Sequence, residues 1–177
     1  MTAVPVTRHV VVMGVSGSGK TTVARGIAEA TGLVFAEADD FHPEANVTKM
    51  RSGTPLDDED RWPWLADLAQ WMAEQAAQGT STIMACSALR RAYRDVLAGG
   101  PPSVFFVHLT GSPELIEKRI FARTGHFMPA SLLASQLAAL EPLEPDEAGL
   151  VIDVAAPLAD IVATAVRAME ALVPGVG

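Results

Sequence analysis

Two short runs hold most of the residues in this chain whose types and spacing suit chemistry: GVSGSGKT, Gly14 to Thr21, and VFAEADDFHP, Val34 to Pro43. The first fits G-x-x-x-x-G-K-S/T at every fixed position. Lacking side chains at Gly14, Gly17 and Gly19, such a loop can turn its backbone N–H groups toward phosphate oxygens, and the run Val15, Ser16, Ser18, Thr22 completes the cradle. Lys20 is placed to reach the β- and γ-phosphates, and the Thr21 hydroxyl to coordinate Mg²⁺. The pattern therefore predicts ATP binding.

The second run sets Glu37, Asp39 and Asp40 beside His42. Such acids could hold a cofactor ribose, a metal, or the proton of a substrate. A ribose role belongs to dinucleotide folds, which need G-x-G-x-x-G, and counting from Gly17 and Gly19 the third glycine position is Thr22. A GTPase switch needs an N-K-x-D element, and the chain has none. Phosphoryl transfer to an alcohol needs Mg²⁺, cations on the transferring group, and a carboxylate that orients the hydroxyl and accepts its proton. Asp39 is the candidate for that carboxylate and Glu37 for a water-mediated metal contact. Glu44 reads as a solvated loop acid, and Asp40 fits either role.

Elements must place these runs in one crevice. Apolar, β-branched stretches starting at His9, Leu33, Thr80, Ser103 and Leu150 read as buried parallel strands. Between them, helices are predicted over Lys20 to Thr31, a stretch from Trp64 toward Gly79, Ala88 to Leu97, Pro113 to Arg123, Pro129 to Leu140 and Leu158 to Leu172. Strands alternating with helices give an α/β fold with a mainly parallel five-stranded sheet, whose C-terminal strand ends form the ligand crevice. Trp64 and Trp71 fall on a helical apolar stripe and read as core, and DDED, Asp57 to Asp60, reads as a helix entrance facing the positive dipole end.

The 177 residues are 49% hydrophobic, enough for one core, and the formal net charge of −8 argues against a nucleic-acid or anionic-membrane surface. Against that background the groups Arg90, Arg91, Arg94 and Arg119, Arg123 suggest anion binding, although each arginine alone reads as a solvated helix face. The single Cys86 forbids an intrachain disulfide. With no leader pattern and no apolar run of spanning length, the chain is expected to be cytoplasmic, with no membrane partner.

The successive strings GVSGSGKTT, DDFHPEANVTKMRSGTPLDDEDRWPWL, CSALRRAYRDVL and RTGHFMPASLLASQLAALEP resemble the motifs of the gluconokinases, small P-loop enzymes related to shikimate kinase, from about Val10 to Val154. The resemblance implies a single P-loop kinase domain over 1–177 with a lid near 119–140. It implies Mg²⁺ and ATP-dependent phosphorylation of D-gluconate at its 6-hydroxyl, and a homodimer. Asp39 and His42 would lie in the substrate loop, Arg61 or Arg94 would hold the substrate carboxylate, and His126 and Gln136 would serve the lid or substrate. Arg123 would close over the ATP phosphates, and Arg119 would stack on adenine. Two alternatives remain: a shikimate-type or other polyol-acid kinase of the same fold, and a nucleotide-dependent binding module without acceptor turnover. Glu37 stands where relatives often carry Asp, and Arg90 and Arg91 replace a lysine-containing pair.

Overall fold

The valines of HVVVM are buried on both sides because their strand is central. A computed structural model describes residues 6–124 and 130–172, and for 123, 124 and 130–132 the backbone alone. Five strands, β1 His9–Met13, β2 Val34–Glu37, β3 Thr82–Ala85, β4 Phe105–Thr110 and β5 Gly149–Asp153, form one sheet in the order β2-β3-β1-β4-β5. Every neighbouring pair is parallel. The helices are α1 Lys20–Thr31, α2 Glu44–Arg51, α3 Asp58–Ala77, α4 Arg91–Ala98, α5 Pro113–Thr124, α6 Ala130–Ala139 and α7 Leu158–Ala171.

The two-residue side-chain period of β1 separates two core layers. Val10 and Val12 pack with Val23 and Ile27 of α1 and with Ile161, Ala165 and Met169 of α7. Val11 and Met13 face the other way, onto Trp64, Leu65, Leu68 and Met72 of α3 and Tyr93 and Leu97 of α4. The strand order reverses at β1, so the ligand crevice of this sheet lies over its C-terminal end.

Most expected elements form where the pattern put them. The acidic run does open a helix: Asp57 caps α3, accepting from the Asp60 N–H, while the Asp60 carboxylate accepts from the Asp57 N–H. Two elements were not foreseen, the short 3-10 turn Ala38–Phe41 and α2.

The arginine group on α4 needs correcting. Arg94 is fully buried, its Nε donating to Glu147 Oε1 at 2.6 Å, Nη2 to Glu147 Oε2 at 3.1 Å, and Nη1 to the Ala88 carbonyl at 3.0 Å. Arg91 donates to Asp95, Glu144 and Asp146 at the surface. The anion that this cluster meets is the chain's own acidic segment ahead of β5, so in this arrangement Arg94 is not presented to a substrate carboxylate.

Burial alone would raise the Glu147 carboxyl, but the bonds from Arg94 and the Glu144 N–H outweigh it and hold the group below its ordinary value of 4.5. Its contribution to stability is thus present above that ordinary value and is lost as pH falls through the lowered native one. Arg94→Ala leaves this carboxylate, whose side chain is 5% exposed, without its partner. The expected cost is about 3–5 kcal/mol, read by urea denaturation at pH 7.

Candidate active site

The phosphate loop is held open by its glycines and by neighbouring backbone. Gly14 has φ +147°, and a Cβ there would sit 2.8 Å from the Leu109 carbonyl oxygen. Gly17 has φ +81°, and a Cβ there would collide with the Ile120 side chain of α5. Only glycine satisfies both the left-handed backbone and the close approach. Inside the loop, buried Ser18 donates through Oγ to the Val15 carbonyl at 2.7 Å, and the Gly14 N–H donates to Ser87 at 3.2 Å. The N-terminus of α1 behind it has no side-chain cap and no acid in its first turn, so its positive dipole end is left for an anion.

Around that anion site the structure gathers several expected residues. Lys20 Nζ donates to the Val15 carbonyl at 3.1 Å, folded back over the loop. Thr21 Oγ1 donates to Glu37 Oε2 at 2.6 Å, joining the start of α1 to the end of β2. Thr22 follows as an exposed residue on the same turn. Cys86, at the end of β3, reports on the convergence. Burial pushes its thiol up to about 12, with Lys20 acting to lower it and Asp39 and Glu37 to raise it. All three charges therefore lie near the C-terminal end of β3.

Among the described residues no group of three or more His, Cys, Asp or Glu could hold a metal ion. One hydroxyl and one carboxylate suit Mg²⁺, which keeps waters and takes the rest of its ligands from substrate phosphates.

Beyond β2, the 3-10 turn carries Asp39, its side chain 79% exposed, and then His42. The His42 ring stacks on Trp64, centroids 4.2 Å apart and planes 18° apart. Burial, with Arg61 nearby, lowers its pKa against the opposing pull of Asp39, so the imidazole is neutral at pH 7. Asn46 Nδ2 donates to the Asp60 carbonyl at 3.0 Å and lies 3.3 Å from His42 Nδ1. An amide NH₂ only donates, so Nδ1 accepts and Nε2 carries the proton, facing Asp39 Oδ1 at 3.7 Å. Arg61, in the first turn of α3, donates through Nη1 to the Tyr93 hydroxyl at 3.0 Å. The end of β2, tied to the nucleotide loop through Thr21 and Glu37, thus leads into a wall bearing a carboxylate, a neutral imidazole and a guanidinium.

Comparison with known proteins decides what such a crevice belongs to. The AAA domain family matches residues 10–143. A gluconokinase of Gluconobacter oxydans is 52% identical over 140 residues, 79% of each chain. A solved sugar kinase from Janibacter sp. superposes with a TM-score of 0.87 at 60% identity, covering 93% of this chain and 95% of that one. A solved gluconokinase from Sinorhizobium meliloti gives 0.85 at 45%, covering 95% and 94%.

The chain belongs to the gluconokinase family.

Within that gluconokinase-family crevice the remaining expected residues divide. Arg119 of α5 donates through Nη2 to the Val154 carbonyl at 2.5 Å, beyond the end of β5. Gln136 of α6 accepts the Ser16 N–H at 2.7 Å, so it touches the phosphate loop rather than the wall. Asp40 is exposed on the 3-10 turn. The side chain of Arg123 and the whole of His126 lie outside the described residues.

Asn46, Trp64 and Tyr93 are site neighbours that the motifs did not single out. Asn46 had a signal: Pro43 before the helix, Glu44 in its first turn, and Lys49 and Arg51 in its last mark a short helix by capping and dipole rules. Lys49 then ties α2 to α3 through Asp60, 2.7 Å away.

Proposed function

We infer that this chain transfers the γ-phosphoryl group of ATP to the 6-hydroxyl of D-gluconate, giving 6-phospho-D-gluconate and ADP. The observation that carries the reading is a phosphate loop tied through Thr21 and Glu37 to a carboxylate–imidazole–guanidinium wall in a gluconokinase-family fold. In this reading the gluconate hydroxyl oxygen forms a bond to the γ-phosphorus as the bond to the ADP oxygen breaks. The hydroxyl proton passes to Asp39. His42 holds the sugar acid beside Asp39, and Arg61 takes its carboxylate.

Backbone N–H groups of the loop and Lys20 hold the β- and γ-phosphates and stabilise charge on the oxygens in flight. Arg119 flanks adenine, Arg123 adds charge over the phosphates, and His126 and Gln136 close on substrate or loop. Thr21 and Glu37 would hold Mg²⁺, directly and through water. When bound, the ion neutralises charge on the β- and γ-phosphate oxygens. The protein is further proposed to work in the cytoplasm as a homodimer, from the family resemblance. Among the described residues no helix is long and apolar enough to cross a membrane.

The test is an ADP-release assay with Mg·ATP over gluconate, shikimate, glucose and AMP. Gluconate is expected to give the highest kcat/KM. Faster turnover of shikimate would transfer the assignment to the related kinases, and ATP binding without turnover of any acceptor would make the chain a nucleotide-dependent binding module.

A further inference from the structure

Tyr93 stands at the edge of the acceptor wall, and none of the proposed catalytic steps uses it. Its ring is 5% exposed on α4 and meets Trp62 edge to face, centroids 5.6 Å apart. The hydroxyl donates to Asp58 Oδ1 at 2.5 Å and accepts from Arg61 Nη1 at 3.0 Å. The Arg61 guanidinium also lies over the ring, 5.5 Å from its centroid. Direct contact between the two charged residues is looser, with Arg61 Nη1 3.8 Å from Asp58 Oδ1.

Arg61 and Asp58 share one face of the first turn of α3, where a cation and an acid three residues apart would ordinarily close into a direct ion pair. Here the phenol sits between them, its proton given to the acid and its lone pair to the cation. Among the described residues that bond from Nη1 is the guanidinium's one hydrogen bond, and the side chain is 36% exposed, so it is accessible to an anion. The guanidinium also lies over the face of that same ring, which adds a cation–π attraction to the hydrogen bond. An arginine held this way loses little side-chain entropy when an anion arrives, and it keeps its charge for that anion instead of for Asp58.

We propose that Tyr93 is a positioning residue for acceptor specificity: with Asp58 it holds Arg61 in the orientation that receives the acceptor's carboxylate, and it keeps Arg61 from collapsing onto Asp58. The inference rests on the reading of Arg61 as the carboxylate-binding residue. It extends the wall to a second layer that selects an acidic polyol over a neutral one.

The experiment measures steady-state constants for gluconate, ATP and the uncharged analogue gluconamide in Tyr93→Phe, Arg61→Ala and the double variant Tyr93→Phe/Asp58→Asn. Tyr93→Phe is expected to raise the KM for gluconate about tenfold, leaving kcat and the KM for ATP within about twofold. Its preference for gluconate over gluconamide should fall by the same factor. Removing the Asp58 charge in that background should restore most of the gluconate KM, which a merely structural role for the ring would not produce. If Arg61→Ala raises the gluconate KM and Tyr93→Phe does not, the positioning role is overturned while the Arg61 reading stands. If Arg61→Ala leaves the gluconate KM and the preference unchanged, the Arg61 reading fails and the inference with it. Loss of gluconate and gluconamide turnover in equal measure, without recovery in the double variant, would make Tyr93 a packing residue only.

Discussion

Lys20→Ala is expected to lower kcat for gluconate phosphorylation by on the order of 10³-fold. The ammonium group is the one side-chain cation carried by the phosphate loop itself, and it sits folded over the Val15 carbonyl, within reach of the β- and γ-positions. Its function is charge, developed against oxygens that become more negative as the phosphoryl group moves. The residue is half-buried and outside both main core layers. The variant should therefore fold normally, with a thermal midpoint within about 4 °C of the parent. Single-turnover kinetics under saturating Mg·ATP separates chemistry from binding. A retained parental rate would mean that the loop does not serve transfer, whatever its fit to the pattern.

Asp39→Asn is expected to reduce kcat on the order of 10²-fold or more while nearly preserving ATP affinity. The substitution keeps size and most hydrogen-bonding capacity and removes only the charge and the ability to take a proton. Asp39 lies within 3.7 Å of the proton-bearing nitrogen of His42 and close enough to Cys86 to bear on its thiol. It thus belongs to both the acceptor wall and the end of the sheet under the loop. Asp40→Asn is the paired control, and its expected loss is smaller because among the described residues no comparable contact ties Asp40 to the wall. Normal turnover by the first variant with loss in the second would exchange the two roles. Normal turnover by both would return the run to a solvated turn.

Legibility of the fold followed burial. The five strands are short, apolar and β-branched, and α1 carries its own boundaries in Lys20 after the glycine loop and Gly32, the left-handed stop. By contrast, α2 buries only Asn46 and has no apolar stripe, so its eight residues could be found only from their ends. The local pattern around Arg94 misleads. Its pattern neighbours place it in a motif beside the site, but its partner Glu147 lies 53 residues away, and nothing in the local spacing announces that pairing. Arg61 carries the same charge three residues beyond its acid Asp58 and remains half-exposed on the wall. What separates the two arginines is tertiary burial, which composition and periodicity do not encode.

The placement of β1 sets the order in which this protein can be made. Of the five strands of this sheet it is the first to be synthesised, but it lies at the centre. One of its edges is closed by β3, where His9 meets Thr82 across 73 residues of chain, and the other by β4, where Val10 meets Phe105. Until both have been synthesised, an apolar strand has unpaired backbone and no final register. Pairings this distant are slow to form because long loops must close first. The nucleotide loop, although it directly follows β1 and precedes the other strands, therefore acquires its shape only after β3 and β4 are available. In the interval the valine strand is exposed apolar chain with unpaired edges, the kind of segment that is prone to aggregate.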